Sequence, residues 1–167
     1  MMCGLFHYGL RAMDADTTLN FYTRVLGMVL DESRPNIPIS GFWLRAALPG
    51  SPPSVHVFTG DDARVKPSDA ASPIGSAAVH HMSLYCKDYG AVRRKLAEYG
   101  LPWQGVNTPN GKHWVIFVYD PNGVMLELFF DGEVEGAAAA DVPAENIYVP
   151  PAPFTLFDPA KYAIFAR

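Results

Sequence analysis

Four residues of this chain join metal-binding chemistry to a repeated spacing: His7, His56, His81 and Glu127. His7 and His81 each open a short apolar run, His7-Tyr-Gly-Leu and His81-Met-Ser-Leu. His56 and Glu127 each interrupt another, Val55-His56-Val57-Phe58 and Leu126-Glu127-Leu128-Phe129. The separations, His7 to His56 and His81 to Glu127, are 49 and 46 residues. A single ionisable group aimed into an apolar strand is costly unless it is paired or metal-bound. Imidazole with carboxylate is the donor set expected for Fe, Ni, Co, Zn or Mn. Taken singly, each residue reads as an ordinary core or surface polar group. Four at repeat-equivalent positions point to one shared site for a divalent metal.

The elements that must position them repeat as well. With His7 aligned on His81, Asp14 matches Asp88 seven residues on, and Gly27 matches Gly100 to within one residue. Leu5–Ala12 and His81–Lys87 are expected to be strands. Asp14 or Asp16, and Asp88, stand where helix N-caps belong. Leu19, Tyr22, Val25 and Leu26 follow helical spacing up to Gly27, as do Val92, Leu96 and Tyr99 up to Gly100. Further strands are expected at Gly41–Ala47, Ser54–Phe58, Trp114–Tyr119 and Val124–Phe130. The turn Asp120-Pro121-Asn122-Gly123 joins the last two. Each module therefore reads β-α-β-β-β, and the fold class is α+β.

Module 1 covers about 3–60, a Gly-, Pro- and Ser-rich linker about 61–77, and module 2 about 78–131. Together they form one domain, 1–131. Residues 132–167 are a tail that begins with the low-complexity stretch 132–141 and becomes rich in Pro and aromatic residues. Strand alternation places Leu5, His7, Gly9 and Arg11 on one face and turns Phe6, Tyr8 and Leu10 toward the helix. The same parity groups Val79, His81, Ser83 and Tyr85 and turns His80 away. His80 is thus assigned to structure; His113 reads as a surface residue, with a proton carrier reaching the pocket as the alternative.

Composition narrows the function classes. The chain has 167 residues, 49% hydrophobic and 18% charged, with a net charge of -4. That is an ordinary globular composition. An acidic balance without a basic stripe argues against nucleic acid as a partner. No apolar run approaches the ~18 residues of a membrane span. The N-terminal stretch lacks the pattern of a secretory leader, and Cys3 and Cys86 form no CxxC. A cytoplasmic location is the expectation.

The motifs in combination resemble the vicinal oxygen chelate superfamily, which includes glyoxalase I, methylmalonyl-CoA epimerase, fosfomycin and bleomycin resistance proteins, and extradiol dioxygenases. The resemblance runs from His7 to Phe130. It is carried by His7-Tyr-Gly-Leu with Phe21-Tyr22 and Leu26-Gly27-Met28, by His81-Met-Ser-Leu, and by Phe117-Val-Tyr-Asp-Pro-Asn-Gly-Val-Met-Leu-Glu127-Leu. It implies two tandem βαβββ modules curving into an incomplete barrel around a divalent metal, with His7, His81 and Glu127 as ligands. His56 stands where glyoxalase-type members carry a fourth ligand, usually Glu or Gln. In extradiol dioxygenases a His near this position is an acid/base beside the metal.

Three activities follow from that resemblance. The first is a glyoxalase-like lyase or isomerase, with the metal polarising vicinal oxygens of a small substrate and Glu127 or His56 moving a proton. The second is an Fe(II) extradiol-type ring-cleaving dioxygenase with His56 as proton shuttle. Phe42, Trp43, Tyr85 and Trp103 suit its flat substrate, whereas Phe117 replaces the Tyr such enzymes commonly carry ten residues before the Glu ligand. The third is a bleomycin-resistance-like protein that sequesters a ligand, and retention of His7, His81 and Glu127 weighs against it. Arg11, Tyr85, Phe117 and Trp103 are the substrate-binding candidates, and Arg45 reads as a surface charge. A homodimer is expected. The tail aromatics Tyr148, Phe154, Phe157, Tyr162 and Phe165 are expected to pack over a partner subunit or the pocket mouth.

Overall fold

In a computed structural model of the chain, which describes residues 5–60, 79–107, 112–136, 142–148 and 157–166, both long helices start at an aspartate. Asp14 has an extended backbone, and its carboxylate accepts from Thr17 N at 2.7 Å, opening α1, Ala15–Arg24. Hydrogen bonds from the Thr17 hydroxyl and the Thr17 backbone N–H hold the Asp14 carboxyl below the usual carboxylate range. Asp88 accepts from Ala91 N and opens α2, Tyr89–Glu98. It does so at φ 60, a conformation that L residues adopt at a cost. The Glu135 carboxylate offsets that cost by accepting from Asp88 N and Tyr89 N at 2.7 and 2.9 Å. Both helices are followed by glycines in the left-handed region, Gly27 at φ 66 and Gly100 at φ 61, as the repeat predicts.

The chain divides into two units, Met1–Pro73 with Ala163–Arg167, and Ile74–Tyr162. The first holds β1 (Tyr8–Arg11), α1, β2 (Val29–Leu30), β3 (Gly41–Arg45) and β4 (Pro53–Phe58). The second holds β5 (Met82–Cys86), α2, β6 (Trp103–Asn107), β7 (His113–Tyr119), β8 (Met125–Asp131) and a short α3 (Gly132–Glu135). The two mixed sheets have the same order, β1-β4-β3-β2 and β5-β8-β7-β6. In each the module's first strand pairs parallel with its last, and the other pairs are antiparallel. This is the tandem βαβββ arrangement of an α+β fold.

One face of each sheet is buried. In the first unit Leu10, Leu44, Val55 and Val57 are buried, with Phe21 and Tyr22 of α1 fully so. Tyr8 and Tyr22 meet through their hydroxyls at 3.1 Å. In the second, Trp114, Ile116, Leu126, Leu128 and Phe130 are buried, and the Tyr89 ring of α2 packs edge-on against Trp114 and Phe130. Burial of each such side chain contributes roughly 1.5–3 kcal/mol.

Several boundaries differ from the sequence reading. β1 and β5 begin one residue after His7 and His81, so those residues and their predecessors escape strand alternation. Phe6, expected on the helix side, lies 58% exposed with its ring 4.9 Å from His7. The alternation does not show β2 or β6, because one is two residues long and the other carries a central glycine. Residues 132–135, read as low complexity, form α3.

The described parts of the tail pack within each unit. In the second unit Ile147 bridges Gly105, Tyr148 N donates to Gly105 O, and Asn146 Nδ2 donates to Trp103 O. A Cβ at Gly105 would meet Trp103, Val142 and the Val115 carbonyl at 3.0–3.2 Å, so glycine permits this close approach. Tyr162 is buried and donates to the Tyr119 carbonyl. In the first unit Phe165 is buried edge-on against Phe21, and its carbonyl accepts from Asn20 Nδ2. Cys3, the linker 61–77, and Pro150, Pro151, Pro153 and Phe154 lie outside the described residues.

The turn from β7 to β8 sets the register that matters most. Asp120 is fully buried, its Oδ1 accepting from Asn122 N and Val124 N at 2.9 and 2.8 Å, its Oδ2 from Asn122 Nδ2. Replacing Asp120 with Ala leaves those donors unmet, and hydrogen bonds to a charged group are worth about 1.5–3 kcal/mol. Urea unfolding of Asp120→Ala is expected to show a loss of about 2–4 kcal/mol; a loss within experimental error would refute this role.

Candidate functional site

Strand pairing tests the proposed repeat residue by residue. In the first unit Gly9 pairs with His56, and in the second Ser83 pairs with Glu127. Gly9 is two residues beyond His7, and Ser83 two beyond His81. His56 and Glu127 therefore occupy the same register position relative to the two leading histidines. The antiparallel neighbours repeat too, with Trp43 opposite His56 and Phe117 opposite Glu127.

Each unit thus brings together one pair of metal-capable side chains. Among the described residues no group of three or more His, Cys, Asp or Glu side chains is arranged to hold a metal ion by itself. In the first unit the His7 and His56 rings are 5.6 Å apart and nearly perpendicular. His7 Nδ1 and His56 Nε2 are buried without a hydrogen-bond partner. Trp43 lies 5.6 Å from the His7 ring and 5.7 Å from the His56 ring, and its Nε1 is also buried and unpartnered. His56 is 7% exposed and stacks on Phe58 at 4.1 Å. Burial pushes its imidazole pKa below the ordinary value, and the positive charges of Arg34 and His7 act in the same direction.

In the second unit His81 Nε2 lies 2.6 Å from Glu127 Oε2. Phe117, 8% exposed, packs 5.9 Å from the His81 ring. Tyr148, delivered by the tail, also packs on Phe117, with ring centroids 4.8 Å apart. Tyr148 is one of the tail aromatics expected over a partner subunit or the pocket mouth, but it lies outside both modules, so periodicity does not indicate which residue it meets. The pairs fit a metal through their donor atoms. Two unpartnered imidazole nitrogens in one unit and a contacting imidazole–carboxylate pair in the other are donor types that would suit a borderline metal.

The other candidates separate by face. Arg11 is exposed at the end of β1 and lines, with Gly9, Leu10 and Phe58, a cavity of about 360 Å³. Tyr85 shares the His81 and Glu127 face, exposed, with its ring 5.8 Å from Phe129. Trp103 pairs with Val118, which puts it on the opposite face from Glu127, beneath the Arg93 guanidinium at 5.3 Å. Phe42 pairs with Val57 on the face opposite Trp43 and His56. Arg45 donates to the Ala46 carbonyl. His113 is exposed at the far end of β7, its ring 5.2 Å from Phe129. His80, set aside by parity, touches His81: the two Nδ1 atoms are 2.9 Å apart.

Comparison with known proteins gives concordant results. A sequence model described as the Glyoxalase/Bleomycin resistance protein/Dioxygenase superfamily matches residues 4–128. "Glyoxylase I 4" of Arabidopsis thaliana is 26% identical over 129 residues, covering 76% of this chain and 70% of that protein. Lactoylglutathione lyase from Agrobacterium tumefaciens shares the fold at TM-score 0.54 and 18% identity, over 81% of this chain and 98% of the other. TnmS3, an antibiotic binding protein from Streptomyces sp. CB03234, does so at TM-score 0.52 and 21% identity, over 78% and 97%.

Because its folded-state pKa is depressed, His56 binds a proton less readily in the native chain than in the unfolded one. Its contribution to stability is full above the unfolded imidazole value of about 6.5 and is lost as pH falls through that value toward the folded pKa. The urea midpoint is expected to drop between pH 7 and pH 5, with a shallower drop in His56→Gln. Identical pH profiles would exclude this origin.

Proposed function

The chain belongs to the Glyoxalase/Bleomycin resistance protein/Dioxygenase superfamily, and from that premise we propose that it is a divalent-metal-dependent enzyme of the glyoxalase-like type. In this reading His7, His81 and Glu127 hold the ion. His56 is a fourth ligand or an adjacent acid/base. The observation that carries the proposal is the shared register of His56 and Glu127 behind the two leading histidines.

The ion's contribution is a fixed positive charge against negative charge developing on substrate oxygens. The remaining chemistry belongs to side chains. His56, kept neutral near pH 7 by burial, accepts a proton at Nε2 from the carbon next to a substrate carbonyl. Glu127 is the alternative acceptor. Trp43 and Phe117 exclude water beside them. The partner is a small molecule, and Arg11 and Tyr85 are proposed to contact it.

A second reading, an Fe(II) ring-cleaving dioxygenase, is favoured by one feature. The rings of Phe6, Trp43 and Phe58 surround the His7–His56 pair, as suits a flat substrate.

Metal analysis of untagged protein purified without chelator and without air decides between them. The expectation is near-stoichiometric metal, falling to about a tenth or less in His81→Ala and in Glu127→Ala, since each removes a donor. Nickel, cobalt, zinc or manganese supports proton transfer on carbonyl substrates, and iron supports the dioxygenase. No metal in any form, even after divalent ions are added back, overturns both and leaves a ligand-binding protein.

A further inference from the structure

Both ring nitrogens of His81 are engaged, and one of the partners is a residue that strand parity sets aside. Nε2 faces Glu127 Oε2 at 2.6 Å. Nδ1 faces His80 Nδ1 at 2.9 Å, with the two rings perpendicular and 5.2 Å apart. Adjacent residues in a strand point to opposite faces and could not make this contact. Here they can, because β5 begins at Met82 and both histidines precede it.

We propose that His80 is a positioning residue that holds the His81 imidazole in the orientation and tautomer needed to bind a metal through Nε2. The inference rests on the metal-dependent reading above. Metal-ligating histidines generally use the second ring nitrogen to hydrogen-bond a partner, which fixes the tautomer.

The chemistry of the contact is specific to an imidazole. An ionised Glu127 has no proton to give, so without metal the hydrogen of that pair sits on His81 Nε2. In a neutral ring Nδ1 must then accept, and His80 Nδ1–H donates. A metal-ligating Nε2 carries no hydrogen. Nδ1 must then donate, and His80 accepts through Nδ1 with its own hydrogen moved to Nε2. A backbone carbonyl or carboxylate at this place could serve only the second state. A histidine serves both, so the ring stays aimed whether or not the ion is present.

The first module provides the control. The residue before His7 is Phe6, whose ring lies 4.9 Å from His7 and has no hydrogen-bonding atom. There the leading histidine's Nδ1 is buried without a partner. His80→Phe therefore recreates in module 2 the arrangement of module 1. Asn is the conservative test, because its side-chain amide places a donor or an acceptor where His Nδ1 stands.

The experiment uses the full chain, stripped of metal by chelator. Co(II) affinity is read by competition with nitrilotriacetate, together with the visible Co(II) spectrum and the thermal midpoint of the metal-free protein. His80→Phe is expected to weaken Co(II) binding about 10–100-fold and to shift the visible bands, leaving the metal-free midpoint unchanged. His80→Asn is expected to recover most of the affinity and the spectrum. Wild-type affinity and spectrum in His80→Phe, or no recovery in His80→Asn, overturns the positioning role while the metal reading stands. If the unmodified chain fails to bind Co(II), the metal reading falls and this inference with it.

Discussion

The parallel ladder between the first and last strand of each module is the constraint on which the rest depends. β1 with β4, and β5 with β8, bring residues nearly fifty positions apart into lateral contact. The side-chain period of a strand is two, so a slip of one residue would send His56 or Glu127 to the opposite face. Hydrogen-bonded turns resist such slips. In the second module the buried Asp120 carboxylate pins β8 against β7, and the β7 register then sets Phe117 opposite Glu127.

The two modules spend this shared geometry differently. Module 2 partners its leading histidine internally, His81 lying between His80 and Glu127. Module 1 leaves His7 Nδ1, His56 Nε2 and Trp43 Nε1 buried without partners. An unmet buried donor or acceptor costs about 1–3 kcal/mol. Three around one pair of histidines form a concentrated local deficit, relieved by anything that supplies a charge or a hydrogen bond there. Buried polar groups of this kind are what a bound ion or ligand would satisfy.

Beyond the region matched by the superfamily, the chain still shapes the surroundings of the candidate residues. Gly105 leaves room for residues 142–148 to dock on β6, and that docking lays the Tyr148 ring on Phe117. Phe117 itself touches the His81 ring. Residues outside the repeat thus wall one side of the Glu127 face. Tyr119, next on that face, is pushed up in pKa by burial and by Tyr148, and its ring packs edge-on against Phe157.

Much of this was legible in the residues alone. The helix caps Asp14 and Asp88, the terminating glycines Gly27 and Gly100, and the Asp-Pro-Asn-Gly turn are local signals, because each is decided by a few neighbouring dihedrals and hydrogen bonds. The equivalence of His56 and Glu127 was legible through internal repetition, which records one fold twice. What escaped depends on contacts between distant segments or on where a strand begins. Trp103 reads as a pocket aromatic, yet β6 pairing turns it to the helix side. Strand parity turns His80 away, yet the strand starts two residues later and lets it reach His81. Tyr148 sits in a stretch without periodicity and finds its place through a gap at Gly105. The sequence by itself determined which residues could do chemistry and which modules would carry them, because composition and period are properties of the chain. Only tertiary structure decided which nitrogen meets which partner, because that depends on register and side-chain approach at the scale of a single ångström.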